Sequence, residues 1–196
     1  QVLLALQRPS EAARVLAPLE DEGTIRGYLP FNRAVALLRS DRREAGLDLL
    51  RDLGGVDAGS DTMAGLRDKA NLALGFTLLQ EGRAEAAQAP LERVRLKGPF
   101  SGKALLWFGW GDAAQGRYER ALVPWMELRE RDPTTPAVQE AQLAAPYAFS
   151  RLEAFGRAAV LYGEAVETFG DEIESLEESI RAIREGRFLE ALVERD

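Results

Sequence analysis

The stretch Leu72–Pro99 aligns on Leu106–Pro133 without a gap, at an offset of 34 residues. Gly75 meets Gly109, Gly82 meets Gly116, Ala87 meets Ala121 and Leu91 meets Trp125, while Pro90 and Pro99 meet Pro124 and Pro133. Glycines, small residues, large residues and prolines recurring in phase point to one supersecondary unit used more than once. A unit this small cannot bury its apolar face alone, so it has to stack on its neighbours. Around the pair, Ala, Leu, Glu and Arg dominate, apolar residues recur three and four apart, and no run alternates with period two. The spacing predicts helices of roughly 11 to 20 residues and no strands. Breaks are expected at Asp21–Gly23, Ser40–Asp41, Gly54–Ser60, Glu81–Gly82, Gly98–Pro99, Gly116, Asp132–Pro136 and Gly170.

This repeat resembles the tetratricopeptide repeat, a helix pair with a period of about 34 residues. Gly75 and Gly109 match the small residue of the first helix, Gly82 and Gly116 the turn, and Ala87 and Ala121 the small residue of the second helix. Leu91 and Trp125 match its large position, and Pro99 and Pro133 the closing proline. Weaker copies extend both ways. Ala34, Asp41, Gly46, Leu50 and Leu53 keep the phase, as do Ala12, Leu16 and Leu19. Toward the other end stand Ala158, Tyr162 and Ala165, then Ser179, Gly186 and Ala191, with Pro146 and Glu153 at positions where a small residue and the turn Gly are expected. The resemblance implies an all-α fold, a right-handed α-solenoid of antiparallel helix pairs. It covers 1–196 as a single domain of about five units, with 68–101 and 102–135 the clearest. The phase predicts Gln1 inside a first helix and Asp196 inside or near the end of a second, as expected of a piece cut from a longer bacterial-type protein of this kind.

Composition narrows the chemistry. The chain has no Cys and no His, which removes thiolate and disulfide chemistry, Ser–His–Asp arrangements and the usual zinc sites. Gly109-x-Gly111 followed by Gly116 lacks both the dinucleotide spacing and the Gly-Lys-Ser/Thr of a P-loop. Glu174, Glu177 and Glu178 share a helix but lack the His of a di-iron site, and no loop has EF-hand spacing. No enzyme, cofactor or metal is therefore expected. The net charge of −7 sits entirely in residues 164–196, with eleven acidic and four basic residues, while residues 1–163 carry twenty-one of each. A neutral body with an acidic end argues against nucleic acid, and no apolar run is long enough to insert in a membrane. The compartment stays open between cytoplasm and periplasm or cell envelope, with the Ala/Arg/Leu-rich style leaning toward the envelope.

In proteins of the resembled family the first helices line a concave face that binds an extended peptide or short helix. Carried through this chain, that implies a groove lined by Tyr28, Phe31, Lys69, Phe76, Lys103, Trp107, Trp110 and Tyr147. Co-chaperone members clamp a C-terminal carboxylate with inward Lys, Asn and Arg. Here Lys69, Lys103 and Asn32 are present, but Leu72, Phe76, Leu106 and Trp110 stand where polar groups would be needed. The implied function is a protein-interaction scaffold that binds a hydrophobic or amphipathic protein segment in an aromatic groove. Two alternatives stay open: the aromatic residues pack against neighbouring helices, or the chain's own 171–185 helix fills the groove. In the latter case the module is structural and serves homo-oligomerisation.

Overall fold

The computed structural model describes residues 2–18 and 27–187, and these residues contain helices and no strand. Leu19 and Ala191 lie outside them, as do Gln1 and Asp196. The chain divides into two compact units, 1–117 and 118–196. The first unit holds α1 (Val2–Ala5), α2 (Pro9–Leu16), α3 (Tyr28–Leu38), α4 (Arg43–Gly55), α5 (Asp61–Gln80), α6 (Ala84–Glu92) and α7 (Ser101–Ala113). The second holds α8 (Tyr118–Arg129), α9 (Pro136–Arg151) and α10 (Phe155–Arg184). Within each unit, consecutive helices pack on one another, and α5 also touches α7.

The turn inside each helix pair explains the glycine period. Gly82 and Gly116 both have φ +72°, a left-handed conformation that Gly adopts without a Cβ penalty. The N–H of Gly82 donates to the Leu79 carbonyl and that of Arg83 to Leu78; Gly116 and Arg117 repeat the pattern on Ala113 and Asp112. These paired bonds form a Schellman motif, which satisfies carbonyls that a helix end would otherwise leave open. The same motif closes α10 at Gly186, with φ +79°, and α1 at Gln7, with φ +57°. It also closes α9 at Glu153, where φ is +60° although the residue carries a side chain. The α3–α4 turn is built differently. Ser40 Oγ donates to the Leu37 carbonyl at 2.9 Å and accepts the Arg42 N–H at 3.2 Å, so Asp41 needs no positive φ.

Helix crossings account for the small residues. A Cβ on Gly75 of α5 would stand 2.5 Å from Leu91 Cγ of α6, and one on Gly46 of α4 would stand 2.9 Å from the Ala34 carbonyl oxygen of α3. Ala87, Ala121 and Ala158 are buried, as are Trp125 and Leu128. One apolar core runs through α3 to α7, including Phe31, Leu50, Leu66, Leu74, Leu78 and Leu91. In the second unit Arg129 of α8 ties the layers together: its Nε donates to Gln142 of α9 at 2.6 Å and its Nη2 to Glu164 of α10 at 2.8 Å.

Several local expectations are corrected. Gly170 does not end a helix; α10 runs through it for 30 residues. A helix-interior Gly costs only about 1 kcal/mol, and here no proline or Schellman bond accompanies it. Gly54 belongs to α4 rather than to a connector and is buried, with its carbonyl accepting from Asn71 Nδ2 of α5 at 3.0 Å. The connector is residues 56–60, and Ser60 caps α5 by accepting the Met63 N–H. Pro90, Pro124 and Pro146 all sit inside continuous helices, so α6 and α8 begin where the repeat phase places them.

Candidate functional site

The residues expected to line a groove divide between the units, with Tyr147 in the second and the other seven in the first. In the first unit they sit on alternate helices: Tyr28 and Phe31 on α3, Lys69 and Phe76 on α5, and Lys103, Trp107 and Trp110 on α7. Two contacts join those helices in sequence. The Lys69 ammonium lies 4.7 Å from the centroid of the Phe31 ring, close enough for a cation–π attraction. The Phe76 and Trp107 rings stack at 4.0 Å between centroids with 23° between planes. The first helices of successive pairs are thus bridged by aromatic side chains.

Exposure separates these residues into two kinds. Phe31 is buried, as are Leu72 and Leu106. Phe76, Trp107 and Trp110 are half-buried, with Trp107 packed on the edge of the core. Tyr28 and Lys103 are exposed. Half-buried rings of this kind supply contact area at little entropic cost on binding. Trp107 and Trp110 stand three residues apart on α7 and so share a helix face.

In the second unit, Tyr147 of α9 meets Tyr118 of α8 edge to face, with centroids 6.1 Å apart, and the Arg151 guanidinium lies 5.2 Å from the Tyr118 ring centroid. Hydrogen bonding with Tyr118 holds the Tyr147 phenol above its ordinary pKa, with burial adding to the effect.

Two buried carboxylates carry no signal in the repeat. Asp68 of α5 is fully buried and binds Arg95 through Nε at 2.7 Å and through the backbone N–H at 3.4 Å. It pins the segment after α6 against α5. Asp112 near the end of α7 is also fully buried, and its Oδ1 accepts from Gln88 Nε2 of α6 and from Arg117 Nε, both at 2.8 Å. It locks the Schellman turn at Gly116 to α6. Neither position recurs 34 residues away as an acid, so the period could not reveal them. Gly111, which has no place in the repeat pattern, is buried against Leu79 of α5, and its carbonyl accepts from Gln115 Nε2.

A depression of about 710 Å³ opens where α5, α6 and α7 approach, lined by Leu79, Gly82, Arg83, Glu85, Ala114 and Gln115 among others. A smaller apolar hollow of about 210 Å³ lies between the end of α6 and α7, under Leu96 and Phe108. Neither contains any of the expected groove residues. Among the described residues no acidic cluster is arranged to hold a metal ion, and no helix is long and apolar enough to cross a membrane.

No family model matches the chain, and no curated protein matches it. Solved structures do. MamA MSR-1 C2 superposes with a TM-score of 0.61 at 18% identity, over 87% of this chain and 92% of that one. A protein of Podosopora anserina assigned as a kinesin light chain, with nearly identical TPR-like repeats, superposes in two structures. The TM-scores are 0.61 and 0.60 at 13% identity, over 88% and 87% of this chain and 92% of each of those. At such identities the likeness is one of fold: the chain is an all-α helical-repeat protein of the TPR-like α-solenoid type.

Proposed function

We propose that this protein is a non-enzymatic interaction scaffold, and that the α3–α5–α7 face of its first unit binds a hydrophobic or amphipathic protein segment. The observation that carries the reading is the Phe76–Trp107 stack, with Trp110 beside it on the same face of α7. An aromatic surface of this kind, supported by the core and left half-open, suits an apolar side chain presented by an extended strand or a short helix. Lys69 and Lys103 flank it and would favour acidic residues at the edges of the bound segment. The repeat architecture supports the same reading, because helical-repeat arrays present continuous binding faces built from successive units.

Tryptophan fluorescence tests this directly. Trp125 is fully buried and serves as an internal reference for the half-buried Trp107 and Trp110. Iodide is expected to quench part of the emission. A hydrophobic peptide is expected to shift that same part in the parent but not in Trp107→Phe/Trp110→Phe. Emission that neither iodide nor peptide touches would mean the aromatic face is closed, by packing or by a segment of the chain itself.

A further inference from the structure

Helix α10 has 30 residues, whereas α9, on which it packs, has 16. At a rise of about 1.5 Å per residue, α10 outruns α9 by roughly 20 Å. Its first half is buried through Ala158, Leu161 and Ala165. Beyond that, apolar side chains continue uncovered: Val166 is 72% exposed, Ile173 58%, Leu176 46%, Ile180 46% and Ile183 50%. With Phe169, they fall at alternating steps of three and four residues. That is a heptad register, with Val166, Ile173 and Ile180 at a and Phe169, Leu176 and Ile183 at d. Solvated helix faces carry no such seam, whereas helices that pair with another helix do.

The flanks of the seam say what the other helix must be. Glu172 stands at a g position and Glu177 at the next e position, and neither forms an ion pair among the described residues. The other flanking positions are Ala165, Gly170 and Ser179, all uncharged, and Arg184 at the far end, so Glu172 and Glu177 set the charge along the middle of the seam. A second copy in parallel would set Glu172 against Glu177 of that copy, a like-charge pairing that opposes association. Lys or Arg at the same places on a partner would be attracted instead. We propose that the Val166–Ile183 seam of α10 docks an amphipathic helix whose own apolar seam is flanked by Lys or Arg, in a coiled-coil pairing. This seam belongs to the second unit, and the proposal does not rest on the aromatic face of the first.

The probe is a synthetic three-heptad peptide with Leu at a and d and Lys at e and g, whose own charges keep it from pairing with itself. It is titrated into the full 196-residue chain. A second peptide carries Glu in place of Lys, and a second protein carries Leu176→Glu/Ile180→Glu, at two half-exposed positions of the seam. The Lys peptide is expected to saturate the parent chain and to weaken with added salt. The Glu peptide, and the double variant with the Lys peptide, are each expected to bind at least about tenfold more weakly. The proposal is overturned by no binding of the Lys peptide, by equal binding of both peptides or by unchanged binding to the variant. It is equally overturned if sedimentation shows a parent dimer that the double variant converts to monomer, since the occupant is then a second copy.

Discussion

Gly75 and Leu91 meet where α5 crosses α6, and a single added methyl group at Gly75 would stand 2.5 Å from Leu91 Cγ. Gly170 occurs in the middle of α10 with nothing within 4 Å of such a methyl. The two positions should therefore answer oppositely to the same substitution. Gly170→Ala is expected to stabilise by about 0.5–1 kcal/mol, the ordinary gain of Ala over Gly in a helix. Gly75→Ala carries the same propensity gain against an overpacking cost of about 1–3 kcal/mol, and is expected to destabilise. Urea denaturation of the two variants side by side checks the sign of each.

Glu153 holds the left-handed conformation that Gly82, Gly116 and Gly186 hold in the other turns. An L side chain there costs roughly 1–2 kcal/mol. Glu153→Gly is expected to recover about 1 kcal/mol, less than the full strain because Gly also loosens the unfolded chain. Gly116→Ala is expected to lose a similar amount. Thermal melts that moved in the same direction for both would contradict the turn geometry.

Removing one member of the Asp68–Arg95 pair is expected to have unequal effects. Asp68 is fully buried, while the Arg95 side chain is 38% exposed. Arg95→Ala leaves a buried carboxylate without its cation, at an expected cost of about 3 kcal/mol. Asp68→Asn leaves a cation that can turn to water, at an expected cost of about 1–2 kcal/mol. Equilibrium unfolding at neutral pH gives both values, and the ordering is the tested point.

Glu81 receives two bonds from Arg43, at 3.0 and 2.8 Å, and one from Arg83 at 3.2 Å. Hydrogen bonding from Arg43 holds its carboxyl below the ordinary value against an opposing effect of burial. A depressed folded-state pKa stabilises above the unfolded value, and that contribution is lost as pH falls through the folded one. Glu81→Gln is expected to cost a few tenths to about 1 kcal/mol at pH 7. The gap to the parent should close as the pH falls below the usual Glu range. A gap that stayed constant with pH would remove the ion pair from the account.

The parts of this fold that repeat were readable, and the parts that occur once were not. Gly75, Gly82, Ala87, Gly109, Gly116 and Ala121 announce crossings and turns because each position serves the same purpose in successive units. Asp68 and Asp112 have no counterpart in phase, so nothing in the pattern separates a buried, paired acid from a solvated one. Gly170 misled because a Gly punctuates a helix only when a left-handed turn or a proline joins it, and both conditions are absent there. Gly111 has no counterpart in phase, and the neighbour that requires it to be small, Leu79, comes from another helix. The phase names a set of first-helix positions on α3, α5 and α7. It could not tell that Phe31 lies beneath Lys69 while Trp107 rests half-open on Phe76, because depth along one face depends on the neighbouring helices.

The central claim is that a protein segment occupies the first-helix face of α3, α5 and α7. A photo-crosslinking amino acid at Lys103, exposed on α7, tests it against the same group at Glu85, exposed on α6. With the hydrophobic peptide that shifts the tryptophan emission, the account predicts a covalent adduct from position 103, none from position 85, and loss of the adduct in Trp107→Ala/Trp110→Ala. Equal adducts from both positions, or an adduct that survives the loss of both tryptophans, would contradict it.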